Sequence, residues 1–262
     1  MLHMSSAAVT HTGLRREGNE DAFRERPDLG LYIVADGMGG HEAGEVASGI
    51  SAEVIEAFIS DTRDADLNQT WPFPFEAARS LAANRLIASI RLANRKVASA
   101  IAGNVALKGM ATTVAALLLS DDDKAHIAHV GDSRVYQWRE GHLRQLTHDH
   151  SWVGEQVRAG VLTNEDAQHH PWRNVVTRAI SGGDDPEVEI TEVVVEPGDR
   201  LLVCSDGLSS VVPHKDIEAI VAGGPQDLKQ TADALVAAAN AAGGPDNITV
   251  VLVEIGGSGD VA

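Results

Sequence analysis

Leu31-Tyr32-Ile33-Val34-Ala35-Asp36-Gly37-Met38-Gly39-Gly40 is the stretch on which the reading of this chain turns. Its apolar half reads as a buried strand. The run then stops in a carboxylate and glycines, which reads as a turn that brings backbone close to something. An aspartate at the mouth of a buried strand, with a bare carbonyl beside it, suits a hard cation. Asp-Gly alone is also an ordinary turn. The chain, however, repeats the arrangement. Leu201-Leu202-Val203-Cys204-Ser205-Asp206-Gly207 is a second apolar run ending in Asp-Gly, and Ile127-Ala128-His129-Val130-Gly131-Asp132 is a third ending in Asp. Gly244-Pro245-Asp246-Asn247 sets a fourth Asp just before the run Ile248-Thr249-Val250-Val251-Leu252-Val253.

Composition narrows the partners. The 262 residues are 44% apolar, enough for a globular fold with a large core in one domain. With 38 acidic against 21 basic residues the formal charge is −17, which repels phosphate backbones and anionic lipid. Nucleic acid and membrane surfaces are therefore excluded as expected partners. No apolar run approaches the roughly 18 residues of a membrane span. The start lacks the basic and apolar regions of a signal peptide, and a single cysteine forms no internal disulfide. The expectation is a cytoplasmic protein.

Outward from the first stretch, the patterns predict a strand over 7–12, a polar turn over 13–21 and a strand over 31–35. A helix is predicted over 42–59, with Val46, Ile50, Val54 and Phe58 on one face. A loop over 61–74 precedes a long helix over 75–101, whose buried stripe is Leu86, Ile90, Ala93, Val97 and Ile101. Strands over 112–119 and 125–130 flank Asp121-Asp122-Asp123, read as a hairpin turn rather than a calcium loop; strands over 134–138 and 142–146 form another hairpin. Residues 148–185, with a short helix over 152–159, read as a flap over a site. Strands over 187–195 and 200–204, helices over 213–222 and 226–242, and a final strand complete the chain. Strands in hairpin series with helices in pairs argue against a doubly wound parallel sheet. The predicted fold class is α+β, a four-layer αββα sandwich of two mainly antiparallel sheets, as a single domain with a core over about 7–256. The four Asp-bearing strand ends can then share one edge.

If Asp36, Asp132, Asp206 and Asp246 converge, their repulsion raises each pKa unless cations sit among them. Oxygen donors select Mg²⁺ or Mn²⁺ over Zn²⁺. Two such ions roughly 3.5–4 Å apart hold a shared water as hydroxide, and the matching substrate is a phosphate ester attacked in line. Arg16, on the 13–21 turn, is available to grip the non-reacting phosphate oxygens.

Six ordered segments, Arg16-Glu17-Gly18-Asn19-Glu20-Asp21, Ala35-Asp36-Gly37-Met38-Gly39-Gly40-His41, Met110-Ala111-Thr112-Thr113, Gly131-Asp132-Ser133-Arg134, Ser205-Asp206-Gly207 and Gly244-Pro245-Asp246-Asn247, resemble the motifs of the metal-dependent serine/threonine phosphatases of type 2C, the PPM family, most closely its bacterial branch. The resemblance spans about residues 9–254. It implies that Asp36 bridges two Mn²⁺ or Mg²⁺ ions, that Gly37 offers a carbonyl to one, and that Asp206 and Asp246 hold the other. It implies that Glu20 and Asp21 bind or orient metal-held waters, that Arg16 grips the phosphate, and that Asp132 with Asp206 serves a weaker third ion, with Asn174 of the flap near it. The implied partners are phosphorylated proteins, a serine/threonine kinase among them. Two departures stand out. Met38 occupies a position where eukaryotic members often carry a histidine, and residue 111 is Ala where Gly is usual; His41 is the nearby candidate proton donor, with metal-held water the alternative.

The expected activity is hydrolysis of phosphoserine and phosphothreonine by direct attack of a metal-bridging hydroxide. The competing reading is a pseudo-phosphatase that binds phosphoproteins or kinases. Cys204 reads as a core residue, since a cysteine phosphatase requires an arginine at position 210 and that residue is Ser. His41-Glu42 lacks the second histidine of a zinc-protease helix. His169 and His170 read as a solvent-facing part of the flap, Asp199 as a turn residue, and Arg134 as either an ion-pair partner or a phosphate contact.

Overall fold

The computed structural model describes residues 3–39, 43–64, 71–223 and 227–257. Gly40, His41 and Glu42, and with them the proton-donor reading of His41, lie outside those residues. The fold is α+β: two antiparallel sheets packed face to face with helices on both outer sides.

The first sheet orders β1 (His3–His11), β11 (Ile248–Gly256), β10 (Arg200–Cys204), β7 (Arg134–Arg139) and β8 (His142–Gln145). The second orders β2 (Asp21–Arg26), β3 (Leu31–Met38), β5 (Val114–Ser120), β6 (Lys124–Val130) and β9 (Glu189–Val194), with the short β4 (Ala111–Thr112) paired to the end of β3. Strand alternation divides the core into layers. Tyr32 and Val34 of β3 face the other sheet and meet Leu201, Val203, Val251 and Val253. Leu31, Ile33 and Ala35 face outward, onto α1 (Ala43–Asp61) and α2 (Leu81–Gly103). On the far side, Leu202, Cys204, Val250 and Leu252 pack under α6 (His214–Gly223) and α7 (Leu228–Ala241). Strands covered on both faces explain why they read as near-continuous apolar runs.

Several sequence expectations change. Asp36, Gly37 and Met38 are not a turn: they continue β3, with Gly37 and Met38 paired to Thr112 and Ala111. Gly37 is needed for another reason. A Cβ there would stand 2.2 Å from the Gly44 carbonyl oxygen, so the strand passes directly beneath the start of α1. The α1 stripe nearest the sheet is Ala47, Ser51, Ile55 and Ile59, while Val46, Ile50 and Val54 flank it half-buried. The small residues let the helix sit close. The helix expected from 75 begins at Leu81, because the Ser80 hydroxyl caps it by accepting from Ala83 N–H at 3.1 Å. Strand β2 was not foreseen. As an edge strand of Asp-Ala-Phe-Arg-Glu-Arg, half-exposed throughout, it carries no apolar alternation. The 148–185 segment holds α3 (Trp152–Arg158) and an unforeseen α4 (Asn164–His169), and bridges at Ser151–Val176 and Thr112–Ile180 tie it down. Asp121–Asp123 is the expected hairpin turn, with Ser120 opposite Lys124. Among the described residues, no helix is long and apolar enough to cross a membrane.

Candidate active site

The edge where β2, β3, β10 and β11 end gathers the predicted carboxylates. Asp21 stands directly opposite Asp36 across the β2–β3 ladder. The Asp36 backbone is pinned at its carbonyl, which accepts from Thr113 N–H at 2.9 Å and from the Thr112 hydroxyl at 2.8 Å. Asp206 follows β10 and opens the short helix α5 (Asp206–Ser209). Ser205 does not cap that helix; its hydroxyl donates to Asp21 Oδ2 at 2.9 Å and accepts from Thr249 N–H at 3.0 Å. The serine thus links a carboxylate of the second sheet to a strand of the first.

Asp246 precedes β11. Its Oδ2 accepts from Arg16 Nη2 at 2.7 Å, and its Oδ1 from Asn247 N–H at 2.9 Å. The Asn247 side chain fastens the Arg16 loop: it accepts from Glu20 N–H at 2.8 Å and donates to the carbonyls of Thr12 and Gly18, both at 2.9 Å. Glu20 lies against the start of α1, and its carbonyl accepts from the Ser48 hydroxyl at 2.6 Å and from Gly37 N–H at 3.1 Å. Ser48, Ser205 and Asn247 thus support the site. Ser205 and Asn247 fall within stretches that sequence reasoning marked, and Ser48 does not.

The electrostatics show how closely the acids meet. Burial pushes Asp36 well above the usual carboxylate range, and the charges of Asp21, Asp206, Asp132 and Asp246 push further. Asp21 is raised to about 7 by burial, against the nearby hydroxyls of Thr249 and Ser205. Asp132 is raised to about 8 by burial and by Asp206 and Asp149. Asp206 is raised by burial and by the charge of Asp246, with the nearby Asp36 carboxyl opposing the shift. Glu20 is raised chiefly by burial. Each acid resists ionisation because like charges and protein surround it.

Other marked residues separate from this cluster. Asn174 is exposed in a turn of the 148–185 segment. Arg134 is a structural ion-pair partner: Nε and Nη2 reach the two Asp149 oxygens at 2.9 and 2.7 Å. Asp199 is more than a turn residue, since it is 1% exposed and grips Arg139 Nε and Nη2 at 2.7 and 2.6 Å. Cys204 is fully buried with its thiol pushed up to about 12 by that burial. His170 stacks on Trp152, ring centroids 4.7 Å apart.

A second group escaped sequence reasoning. His129, His150 and Glu189 each bring one possible ligand atom within 4.8 Å of the others, a spacing that could hold a divalent cation. Among the described residues no other three such side chains are mutually this close. Burial pushes the His129 imidazole down to about 4. The signal in the sequence was a histidine at an inward position of the apolar run 125–130; its partner 21 residues on carried none.

Sequence comparison identifies this double-sheet αββα fold with its acidic rim. The family model described as Protein phosphatase 2C matches residues 13–248. The chain belongs to that family. It is 37% identical over 251 residues to the serine/threonine phosphatase stp of Listeria monocytogenes, covering 94% of this chain and 93% of that one. The crystal structure of the Mycobacterium tuberculosis serine/threonine phosphatase PstP/Ppp superposes with a TM-score of 0.85 at 33% identity, covering 98% of this chain and 100% of that one. A structure of the PstP catalytic domain in complex with two manganese ions gives 0.80 at 32% identity, with the same coverage.

Proposed function

We propose that this chain hydrolyses phosphoserine and phosphothreonine on proteins, using divalent cations held at the acidic rim, with the matched stretch acting as one catalytic domain. The observation that carries the reading is the meeting of Asp21, Asp36, Asp132, Asp206 and Asp246 at the ends of strands from both sheets, the first four raised by burial and by neighbouring charge. The donors fit the ions. They are oxygens only, which suits Mn²⁺ or Mg²⁺. Asp21 Oδ1 is buried with no hydrogen-bond partner, so one acceptor is left over for an ion or the water it carries. The two manganese ions of the PstP structure support the same choice.

Asp36, Asp206 and Asp246 would hold the two core ions with the Gly37 carbonyl, Asp132 with Asp206 a third, and Glu20 and Asp21 would orient water. Bound there, the cations neutralise charge on the phosphoryl group and make water a better nucleophile at neutral pH. Arg16 binds the non-reacting phosphate oxygens. Its side chain is 49% exposed, and the Asp246 contact occupies only one of its terminal nitrogens, so the remaining N–H donors face outward. Water is the attacking group in this reading, and the chain's one thiol, buried and held protonated, is no candidate for that role. The partners are phosphoproteins, a serine/threonine kinase among them, and the setting is the cytoplasm. The names of the bacterial relatives, serine/threonine phosphatases, support the phosphoserine and phosphothreonine activity.

The test is turnover of a phosphothreonine peptide and of p-nitrophenyl phosphate with Mn²⁺. Asp36→Asn and Asp206→Asn should each remove activity while leaving the melting transition cooperative, and chelation should abolish it reversibly. Full activity after chelation would defeat the proposal. Loss of all turnover in the Mn²⁺-loaded native chain would favour an inert phosphoprotein-binding module instead.

A further inference from the structure

Asp132 sits on a loop held from one side by two consecutive residues. Gly131 donates its N–H to His150 Nδ1 at 3.1 Å, and its carbonyl accepts from the His150 main-chain N–H at 2.9 Å. One residue back, Asp149 takes Arg134 with both oxygens. The loop Gly131–Arg134 is therefore fixed at both ends. Gly131 is itself constrained, with a φ of +111° and a position where a Cβ would meet Thr113 Cβ at 2.5 Å. Between the ends, the Ser133 and Thr113 hydroxyls bond at 2.7 Å. His150 is fully buried, and its carbonyl accepts from Thr177 N–H at 2.8 Å, so the returning arm of the 148–185 segment hangs on the same residue.

The hydrogen bonds fix the ring's chemistry. A backbone N–H only donates, so His150 Nδ1 is the bare nitrogen and the neutral ring carries its proton on Nε2. That proton points to Glu189 Oε2, 3.3 Å away. Glu189 also takes His148 Nδ1 at 2.8 Å and lies 3.6 Å from Arg158. A cation at His150 Nε2 would have to displace this proton while Nδ1 stays occupied. The His129 and His150 rings are stacked, 4.5 Å between centroids and 16° from parallel, so their in-plane lone pairs do not converge on one ion. His129 donates Nε2–H to the His148 carbonyl at 2.8 Å. Of the group whose spacing suits a cation, both His150 nitrogens and both Glu189 oxygens are already spent on hydrogen bonds, and His129 Nδ1 alone is left without a partner.

We propose that His150 is the positioning residue of Asp132: its bare Nδ1 and its main-chain N–H hold Gly131 from both sides and so set where the neighbouring carboxylate stands. The proposal rests on the reading that Asp132 serves turnover, and the test separates the two. His150→Asn places an amide oxygen near the place of Nδ1, which keeps an acceptor for Gly131. His150→Gln places its polar end near Nε2 and leaves the Gly131 N–H unmet. Both lose the ring and its stacking; Asn keeps the acceptor for Gly131 and gives up the donor to Glu189, and Gln does the reverse with one more methylene. Relative to His150→Asn, His150→Gln should lower kcat on a phosphothreonine peptide about tenfold, the usual effect of one unmet buried donor. KM should change less than twofold, and exchange protection of the Gly131 amide should be lost in His150→Gln alone. Equal kcat and equal protection in the two variants would overturn the proposal. Asp132→Asn is the reference: if it turns over like the native chain, the Asp132 reading falls, and the clamp is judged on Gly131 exchange. Nitrogen NMR of the native chain needs no variant. A proton on Nδ1, or Zn²⁺ added to chelated protein shifting both the His129 and His150 rings, would equally overturn the proposal, the latter by making the pair a metal site.

Discussion

Stripped of divalent cations, the protein should lose thermal stability between pH 6.5 and 8. Asp132 ionises near 3.8 when unfolded but at about 8 when folded. A group raised on folding contributes stability that is whole below its unfolded pKa and is lost as pH climbs through its folded one. Asp36, raised well above the usual carboxylate range, acts in the same direction, and Asp21, raised to about 7, has spent most of its effect by pH 7. His129 works the other way. Its imidazole is depressed to about 4, so stability from it rises up to the unfolded value of 6.5 and is flat beyond. The window above 6.5 is thus governed by the acids. One retained proton is worth about 1.4 kcal/mol per pH unit, so Asp132 alone gives about 2 kcal/mol across the window. At the ~2–4 °C per kcal/mol of a domain of this size, the melting temperature should fall by roughly 4–8 °C. Scanning fluorimetry of EDTA-treated protein at fixed ionic strength measures it. Saturating Mn²⁺ should remove the slope and add about 2.7 kcal/mol at a hundred times Kd. Asp132→Asn should flatten the chelated curve. A chelated native protein that melts at the same or a higher temperature at pH 8 would refute the reasoning.

Three further outcomes follow from the packing. Gly207→Ala would set a Cβ 1.8 Å from the Asn247 carbonyl oxygen, a backbone atom that cannot swing aside; chemical denaturation should show a loss of about 3 kcal/mol. Arg16→Ala should raise KM for a phosphopeptide more than tenfold, while Arg16→Lys recovers only part of it, because an ammonium cannot make a two-pronged grip. Asp199→Asn should cost about 2 kcal/mol, read as a melting temperature roughly 4–8 °C lower, since Asp199 is buried against a partly exposed Arg139 and also accepts from Gln137 at 2.9 Å. Unaltered melting in that last variant would mean the pair is held by the fold rather than holding it.

The layers were legible because β3, β5, β10 and β11 are covered on both faces and read as unbroken apolar runs. The acidic rim was legible because each aspartate follows or precedes such a run, so a strand end could be read directly as a position. Pairings between distant segments were not. Nothing in Asp-Ala-Phe-Arg-Glu-Arg announces that β2 lines up to set Asp21 against Asp36. Ser205 looks like an N-cap and instead bonds sideways to Asp21. His150 lies in a polar segment whose meaning depends on Gly131, 19 residues earlier. Gly37 was rightly picked as a close approach, but what approaches is α1, whose start is known only from the folded chain.

The donors at the rim come from two separate sheets: Asp21 and Asp36 from one, Asp206 and Asp246 from the flanks of the other. An ion shared among them would work as a rivet through the seam of the sandwich. Remove it, and the two plates are free to part first at that lip, so hydrogen exchange in the ion-free protein should spread inward from the ends of β3 and β10 while the opposite end stays closed.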